Sequence, residues 1–181
     1  MKLIILDRDG VINQDSPDYI KSPDEWHPLP GSLEAIAKLN KAGYTIIVVT
    51  NQSGVGRGYY SRATLRNIHK KMKDELAKHG GEIERIYLCP HKPEDDCDCR
   101  KPNIGMFKEI EHDYKINLYN VINIGDSLRD LQAGKLVGCK NILVLTGNGK
   151  ETLKNNPAFN NTEVYTDLAE AAKKIIKDQA K

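Results

Sequence analysis

The apolar positions of this chain fall into short blocks. Leu3–Leu6, Thr45–Val49, Ile86–Leu88, Val121–Ile124 and Ile142–Leu145 are mostly aliphatic runs bounded by polar or turn-forming residues. Runs of this length without polar alternation mark strands buried on both faces, as in a parallel sheet. Between them the recurrence becomes helical. Ser32–Ala42 carries Leu33, Ile36, Ala37 and Leu39 on one side, and Gly43 follows as a stop signal. Ser61–His79 opens on a candidate cap, Ser61, and carries Leu65, Ile68, Met72 and Leu76 at helical spacing. Met106–Tyr114, Leu128–Leu136 and Leu168–Lys177 complete the series. Strand–helix alternation predicts an α/β fold with a doubly wound, mostly parallel sheet and right-handed crossovers. Residues 1–181 read as a single domain, without internal repeat or linker. Two stretches escape the pattern: Asn13–Pro30, with four prolines, and the polar, cysteine-bearing Cys89–Pro102. Long ordered loops of this kind are often functional.

Composition narrows the classes. The 181 residues are 39% apolar and 29% charged, and the net charge of +2 is too small to argue for nucleic acid or a membrane surface as partner. The N-terminal "MKLIILDRDG" has too short an apolar run for a signal peptide. No stretch approaches the roughly 20 apolar residues of a membrane span. The expectation is a cytoplasmic monomer with a small-molecule partner. The lysine-rich "AAKKIIKDQAK" reads as the solvated face of a helix.

Chemistry enters at the strand ends. "LIILDRDG" closes the first strand with Asp7 and Asp9, "VVTNQSG" puts Thr50 at the end of the second, and "INIGDSLRD" puts Asp126 after a later one. Asp130 opens the following helix, and "CRKPN" supplies Lys101 between them. In parallel sheets ligands bind outside the strand C-termini, so these groups converge if their strands are neighbours. Four carboxylates, a hydroxyl and an ammonium suit phosphoryl transfer. Mg²⁺ on carboxylate oxygens would screen nucleophile from phosphate, Thr50 and Lys101 would donate to the phosphoryl oxygens, and Asp9 would shuttle the proton. Singly, each piece has a plainer reading. Asp-x-Asp-Gly is often an Asx turn, a lone Thr after a strand is often a helix cap, and "GVGRG" reads as a turn. The ordered set carries the case.

That set, with "DRDGVIN", "TNQSGVGRG", "CPH…CDCRKP" and "GDSLRD", resembles the haloacid dehalogenase-type phosphatase superfamily, and within it the histidinol-phosphatase-related family. The resemblance implies a Rossmann-like fold, Asp7 as nucleophile and Asp9 as acid/base. It also implies Mg²⁺ held by the side chains of Asp7 and Asp126 and the backbone carbonyl of Asp9. Asp15, Tyr19, Thr50, Asn51, Gln52 and Ser53 would meet the substrate, and Arg100 and Lys101 would close on its phosphate. Ser127 stands where a lysine is common in this family. The implied substrate is a small phosphorylated sugar, a heptose bisphosphate on the way to nucleotide-activated heptose, with histidinol phosphate as the alternative. The superfamily's cap domains need long insertions, and Val11–Pro30 and Gly54–Arg100 leave no room for one, so an open site is expected.

"CPHKPEDDCDC" gives Cys89, His91, Cys97 and Cys99. Three thiolates and an imidazole form a closed tetrahedral set for structural Zn²⁺, with no position left for a catalytic water. The expectation is a small zinc loop, residues 89–101, that positions Arg100 and Lys101. Cys139 reads as core, and His27, His69, His79 and His112 as surface or cap residues. Two other classes stay open: a receiver-type phosphoacceptor module, whose acceptor lies on a middle strand rather than the first, and a zinc-dependent interaction module, which phosphatase turnover would exclude. A polynucleotide 3′-phosphatase is disfavoured by the modest charge and the lack of aromatic–basic clusters.

Overall fold

A computed structural model describes residues 1–159 and 161–179. Its strands are β1 (Lys2–Leu6), β2 (Tyr44–Asn51), β3 (Arg85–Cys89), β4 (Ile122–Gly125), β5 (Lys140–Val144) and β6 (Glu163–Tyr165). The helices are α1 (Ser32–Lys41), α2 (Ser53–Gly56), α3 (Arg62–Lys78), α4 (Gly105–Tyr114), α5 (Leu128–Leu136), α6 (Gly149–Asn155) and α7 (Leu168–Gln179). The strands form one sheet in the order β3-β2-β1-β4-β5-β6, with every pair parallel.

Both faces of that sheet are covered, which explains the uninterrupted apolar runs. Ile4 and Leu6 of β1, with Ile46 and Val48 of β2, face a layer supplied by Leu33, Ile36 and Leu39 of α1, Ile68, Met72 and Leu76 of α3, and Ala171 and Ile175 of α7. Leu3, Ile5, Ile47 and Val49 face the opposite way, onto Met106, Phe107 and Ile110 of α4 and onto Leu118. The successive residues of each strand thus serve two cores. Ser61 caps α3 as its sequence suggests, accepting the Thr64 N–H at 3.0 Å.

The prolines of residues 13–30 do not leave a loose loop. Trp26 is fully buried, and Val11, Ile12 and Ile20 join the core beside it. Backbone bonds from Gln14 to His27 and from Leu29 to Ile12, each 2.9 Å, close the segment on itself. Asp15 and Tyr19 are thereby carried to the C-terminal edge of the sheet.

Three features depart from the expectations. The "GVGRG" segment is not a plain turn: Ser53–Gly56 forms the helical turn α2, which Arg57 ends. His69 is neither surface nor cap but buried, against Arg8, whereas His79 does end α3. The sheet gains β6, whose single aliphatic residue, Val164, gives no periodic signal. Among the described residues no helix is long and apolar enough to cross a membrane.

Candidate active site and metal centres

Parallel register brings the chemistry together. Leu6 pairs with Val48 on one side and with Ile124 on the other, so the ends of β1, β2 and β4 lie side by side. Asp7 leaves β1, Thr50 and Asn51 close β2, and Asp126 follows β4. Lys101 enters from the loop after β3. Its buried Nζ lies 3.0 Å from Asp7 Oδ1, 2.7 Å from Asp130 Oδ1 and 2.6 Å from the Val49 carbonyl. Its backbone is clamped by Asn51, whose Nδ2 donates to the Lys101 carbonyl and whose Oδ1 accepts the Lys101 N–H, each at 3.0 Å. Ser127, the residue that caps α5, donates its N–H and hydroxyl to Asp130 Oδ2 at 3.0 and 2.6 Å.

Asp126 is gripped closely. The Asn148 N–H donates to its Oδ2 at 2.7 Å. Gly10 and Gly147 press on the same oxygen: both have positive φ, and a Cβ on either would stand 2.2 Å from it. Any side chain there would displace the carboxylate. The second oxygen, Asp126 Oδ1, is buried without a hydrogen-bond partner among the described residues. Asp7, Asp126 and Asp130 offer oxygens within 4.8 Å of one another. Burial, followed by the nearby carboxylates, pushes Asp126 up to about 8. Asp7 is pushed up to about 6, chiefly by burial, with Lys101 opposing. An orphaned oxygen in a set of hard ligands with disfavoured charge is what a divalent cation satisfies, so the residues fit Mg²⁺. Asp130 differs from its neighbours. Burial raises it, but Lys101 and the Ser127 hydroxyl outweigh that and hold it below the usual carboxylate range.

Asp9, two residues from Asp7, sits in the opposite field. Arg8 Nε and Nη2 donate to its Oδ1 at 3.0 and 2.8 Å, Asn13 Nδ2 donates at 2.9 Å, and Gln52 Nε2 donates to Oδ2 at 2.8 Å. Burial alone would raise its pKa; the Arg8 charge and these donors prevail and lower it. Two carboxylates with opposed environments are how one site assigns different roles to like groups.

Above these groups opens a cavity of about 310 Å³, in the range of small-ligand sites. Of the residues expected at the substrate, Asp7, Asp9, Asp15, Tyr19, Asn51, Gln52, Ser53, Arg100 and Lys101 line it. Thr50 is buried at the strand end, its hydroxyl accepting Gln52 Nε2 at 2.8 Å. Ser16 and Pro17, between Asp15 and Tyr19, line it as well, and five further liners were not expected from the sequence: Ile20, Arg57, Tyr60, Arg129 and Asn148. Arg129 stands inside "GDSLRD", one residue before Asp130, and its position on the first turn of a helix that starts at a strand end could have flagged it. Asn148 Nδ2 links Asp15 to Asp126, at 3.0 and 3.2 Å.

The loop after β3 gathers the sulfur ligands. His91 Nδ1 lies 3.2 Å from Cys99 Sγ and 3.6 Å from Cys89 Sγ, and Cys97 Sγ lies 3.5 Å from both other sulfurs. Four donors converging at these distances fit the closed Zn²⁺ set that their chemistry implies. The loop is braced on both sides. The Gly105 N–H donates to the Asp98 carbonyl and Asn103 Nδ2 to the Cys97 carbonyl. Gly56 of α2 approaches so closely that a Cβ would stand 2.7 Å from the Pro90 carbonyl. Arg100 Nη1 donates back to the His91 carbonyl at 3.3 Å, which ties the pocket's arginine to the ligand loop. Cys139 lies apart, packed against the α4 core.

Comparison with known proteins places this geometry. Residues 98–171 match the HAD-hydrolase-like family model. The D-glycero-beta-D-manno-heptose-1,7-bisphosphate 7-phosphatase of Bordetella bronchiseptica is 52% identical over 178 residues, 98% of this chain and 99% of that one. The protein of the same name from Pseudomonas aeruginosa is 49% identical, covering 96% of this chain and 97% of its own. Among solved structures, D,D-heptose 1,7-bisphosphate phosphatase from B. bronchiseptica, complexed with magnesium and phosphate, superposes with a TM-score of 0.96 at 52% identity, covering 98% of this chain and 99% of that one. The chain belongs to the haloacid dehalogenase-like hydrolases. Within them it groups with the proteins named D-glycero-beta-D-manno-heptose-1,7-bisphosphate 7-phosphatase.

Proposed function

We propose that this chain is a magnesium-dependent phosphatase that removes the C7 phosphate of D-glycero-beta-D-manno-heptose 1,7-bisphosphate. The observation that carries the reading is a single cavity in which Asp7 and Asp9 stand among Arg57, Arg100, Lys101 and Arg129. Two carboxylates can act there as nucleophile and acid/base, and four cations match a substrate bearing two phosphates. The names of the full-length relatives supply the sugar.

Asp7 attacks phosphorus while the bond from phosphorus to the sugar oxygen breaks, and Asp9, ionised in the free site and protonated as the anionic phosphate binds beside it, gives that proton to the departing alkoxide. Water then attacks the aspartyl phosphate, Asp9 takes the water's proton, and the bond to Asp7 breaks to free inorganic phosphate. Asp7, Asp126 and the Asp9 carbonyl would hold Mg²⁺, which when bound screens the charge between nucleophile and phosphate. Lys101 fixes Asp7 and, with Thr50 and Arg100, donates to the phosphoryl oxygens as charge gathers on them. Asp130 keeps Lys101 in place. Arg129 takes the pocket-facing cationic part that Ser127, committed to Asp130, does not. Asp15, Tyr19, Asn51, Gln52 and Ser53 shape the sugar's side of the cavity. Residues 1–181 act as one domain, as a cytoplasmic monomer, without nucleic acid or membrane as partner.

Turnover of both heptose bisphosphate anomers and of histidinol phosphate tests the assignment. The expected result is highest kcat/KM on the beta anomer. A preference for histidinol phosphate would overturn the substrate and leave the chemistry.

A further inference from the structure

Asp9 is enclosed by an inner ring of donors, Arg8, Asn13 and Gln52, and two members of that ring are themselves held from behind by side chains beside or on α3. The Gln52 amide has no free hydrogen-bonding atom. Its Nε2 donates to Asp9 Oδ2 and to Thr50 Oγ1, and its Oε1 accepts the Tyr60 hydroxyl, each at 2.8 Å. An amide's two ends differ only through their partners. The Asp9 carboxylate only accepts and so draws Nε2 to its side, and the Tyr60 hydroxyl, donating to Oε1, holds the other end of the amide in that orientation. Thr50, having accepted from Gln52, keeps its own O–H for another acceptor. The seat for Tyr60 is made by Gly54, where a Cβ would stand 2.2 Å from the tyrosine ring. Part of the glycine pattern "GVGRG" is thereby accounted for.

Arg8 is held in the same manner. Its guanidinium is fully buried and forks onto Asp9 through Nε and Nη2, while Nη1 lies 3.2 Å from His69 Nε2. A guanidinium only donates, so His69 presents a bare ring nitrogen. Burial, with Arg8 beside it, keeps the imidazole neutral by pushing it down to about 3.

We propose that Tyr60 and His69 are positioning residues that hold the Gln52 amide and the Arg8 guanidinium in the one orientation in which both donate to Asp9, so that the Asp9 carboxyl keeps a single rotamer at the pocket wall. The inference rests on the reading of Asp9 as acid/base. Its consequence is selective. A sugar alkoxide needs a proton as it leaves, whereas p-nitrophenolate does not, so an Asp9 released from its ring costs rate on the first leaving group only. Because kcat/KM covers the steps up to phosphoryl transfer to Asp7, it reads this without interference from hydrolysis of the intermediate.

The experiment compares kcat/KM for the heptose bisphosphate and for p-nitrophenyl phosphate in Tyr60→Phe, His69→Leu, His69→Gln and Asp9→Asn. Tyr60→Phe and His69→Leu are each expected to lose roughly tenfold on the sugar phosphate, the worth of about one hydrogen bond. On the aryl phosphate they should stay within about twofold. His69→Gln, whose amide oxygen can accept from Arg8, should recover most of the loss. Asp9→Asn should show the same selectivity in larger measure. Equal losses on both substrates, or unchanged kcat/KM on the sugar phosphate, would overturn the inference. Tyr60→Phe, which deletes one oxygen from an intact ring, decides the matter even if His69→Leu does not fold. If Asp9→Asn is selective and the outer variants are not, the positioning role alone fails. If Asp9→Asn shows no selectivity, the acid/base reading itself has failed.

Discussion

The carboxylate cluster and the thiolate cluster both gather metal-ligating side chains, yet they are built in opposite ways. Asp7, Asp126 and Asp130 come from the ends of β1 and β4 and the start of α5, so their spacing is set by sheet register. Cys89, His91, Cys97 and Cys99 come from the end of β3 and the loop it opens, and three soft thiolates and an imidazole complete one another there. The first set is left with an orphaned oxygen and two carboxyls whose ionisation is resisted. It is poised to take a hard cation and exchange other ligands. The second leaves no position open. Where ligands come from distant strands, the fold sets the metal's geometry; where they come from one loop, the metal sets the loop's. Lys101 joins the two, starting two residues after Cys99 and ending between Asp7 and Asp130.

That contrast breaks most plainly at Asp7. Asp7→Asn should lower kcat by at least about a thousandfold, because no second group can form the covalent intermediate. Circular dichroism should stay unchanged, since Lys101 keeps Asp130 and the Val49 carbonyl. Cys97→Ala comes next: zinc should be lost and kcat/KM fall on the order of a hundredfold, as Arg100 and Lys101 drift from the phosphate by roughly 1 Å. The sheet's circular dichroism should persist, because Cys97 only packs against the α4 core from outside, while Cys89, the ligand that belongs to that core, is unchanged. A variant that lost zinc but kept full efficiency would make the thiolate cluster incidental; one that unfolded would make it a requirement of the whole fold.

The sequence carried the carboxylate side of this comparison almost completely, because Asp7, Thr50 and Asp126 follow apolar runs whose parallel pairing is a rule of the fold class. The thiolate side was legible in ligand chemistry. Arg8, Tyr60 and His69 were not, for a physical reason: each works through another side chain, and a buried partner across 61 residues, as between Arg8 and His69, leaves no spacing to read. Asn51 and Gln52 looked like substrate contacts and do line the cavity, yet their amides are also committed within the protein, to Lys101 and to Asp9. The edge strand β6 and helix α6 went unseen because neither carries a run of apolar residues.

A smaller effect sharpens the electrostatic half of the contrast. The folded-state pKa values of Asp7 and Asp126 are raised, to about 6 and about 8. Between about pH 4, where a carboxyl titrates in an unfolded chain, and those values, the metal-free folded protein holds more protons than the unfolded chain. Its stability therefore falls as pH rises through that window. Asp9 and Asp130, whose pKa values are lowered, act the other way, but their contribution is lost only as pH falls below the ordinary carboxylate value; His69, pushed down to about 3, offsets part of the fall up to about pH 6.5, where a free imidazole titrates. Melting temperature after EDTA treatment should drop by several degrees from about pH 5 to about pH 8. Millimolar Mg²⁺, which binds the ionised carboxylates, should flatten the slope. A slope of the opposite sign would show that these two carboxyls are not the strained ones. Smallest of all is Cys139→Ala, outside the cluster and packed against the α4 core. Zinc content should be unchanged and turnover within about twofold, with a stability loss of about 1 kcal/mol from the vacated space.

The division of labour between the clusters is tested most directly by following metal content and turnover together, in protein dialysed against EDTA and then supplied with Mg²⁺. Turnover should vanish while zinc remains bound in the thiolate loop, and Mg²⁺ alone should restore it. Turnover that tracked the zinc content and ignored Mg²⁺ would contradict that division.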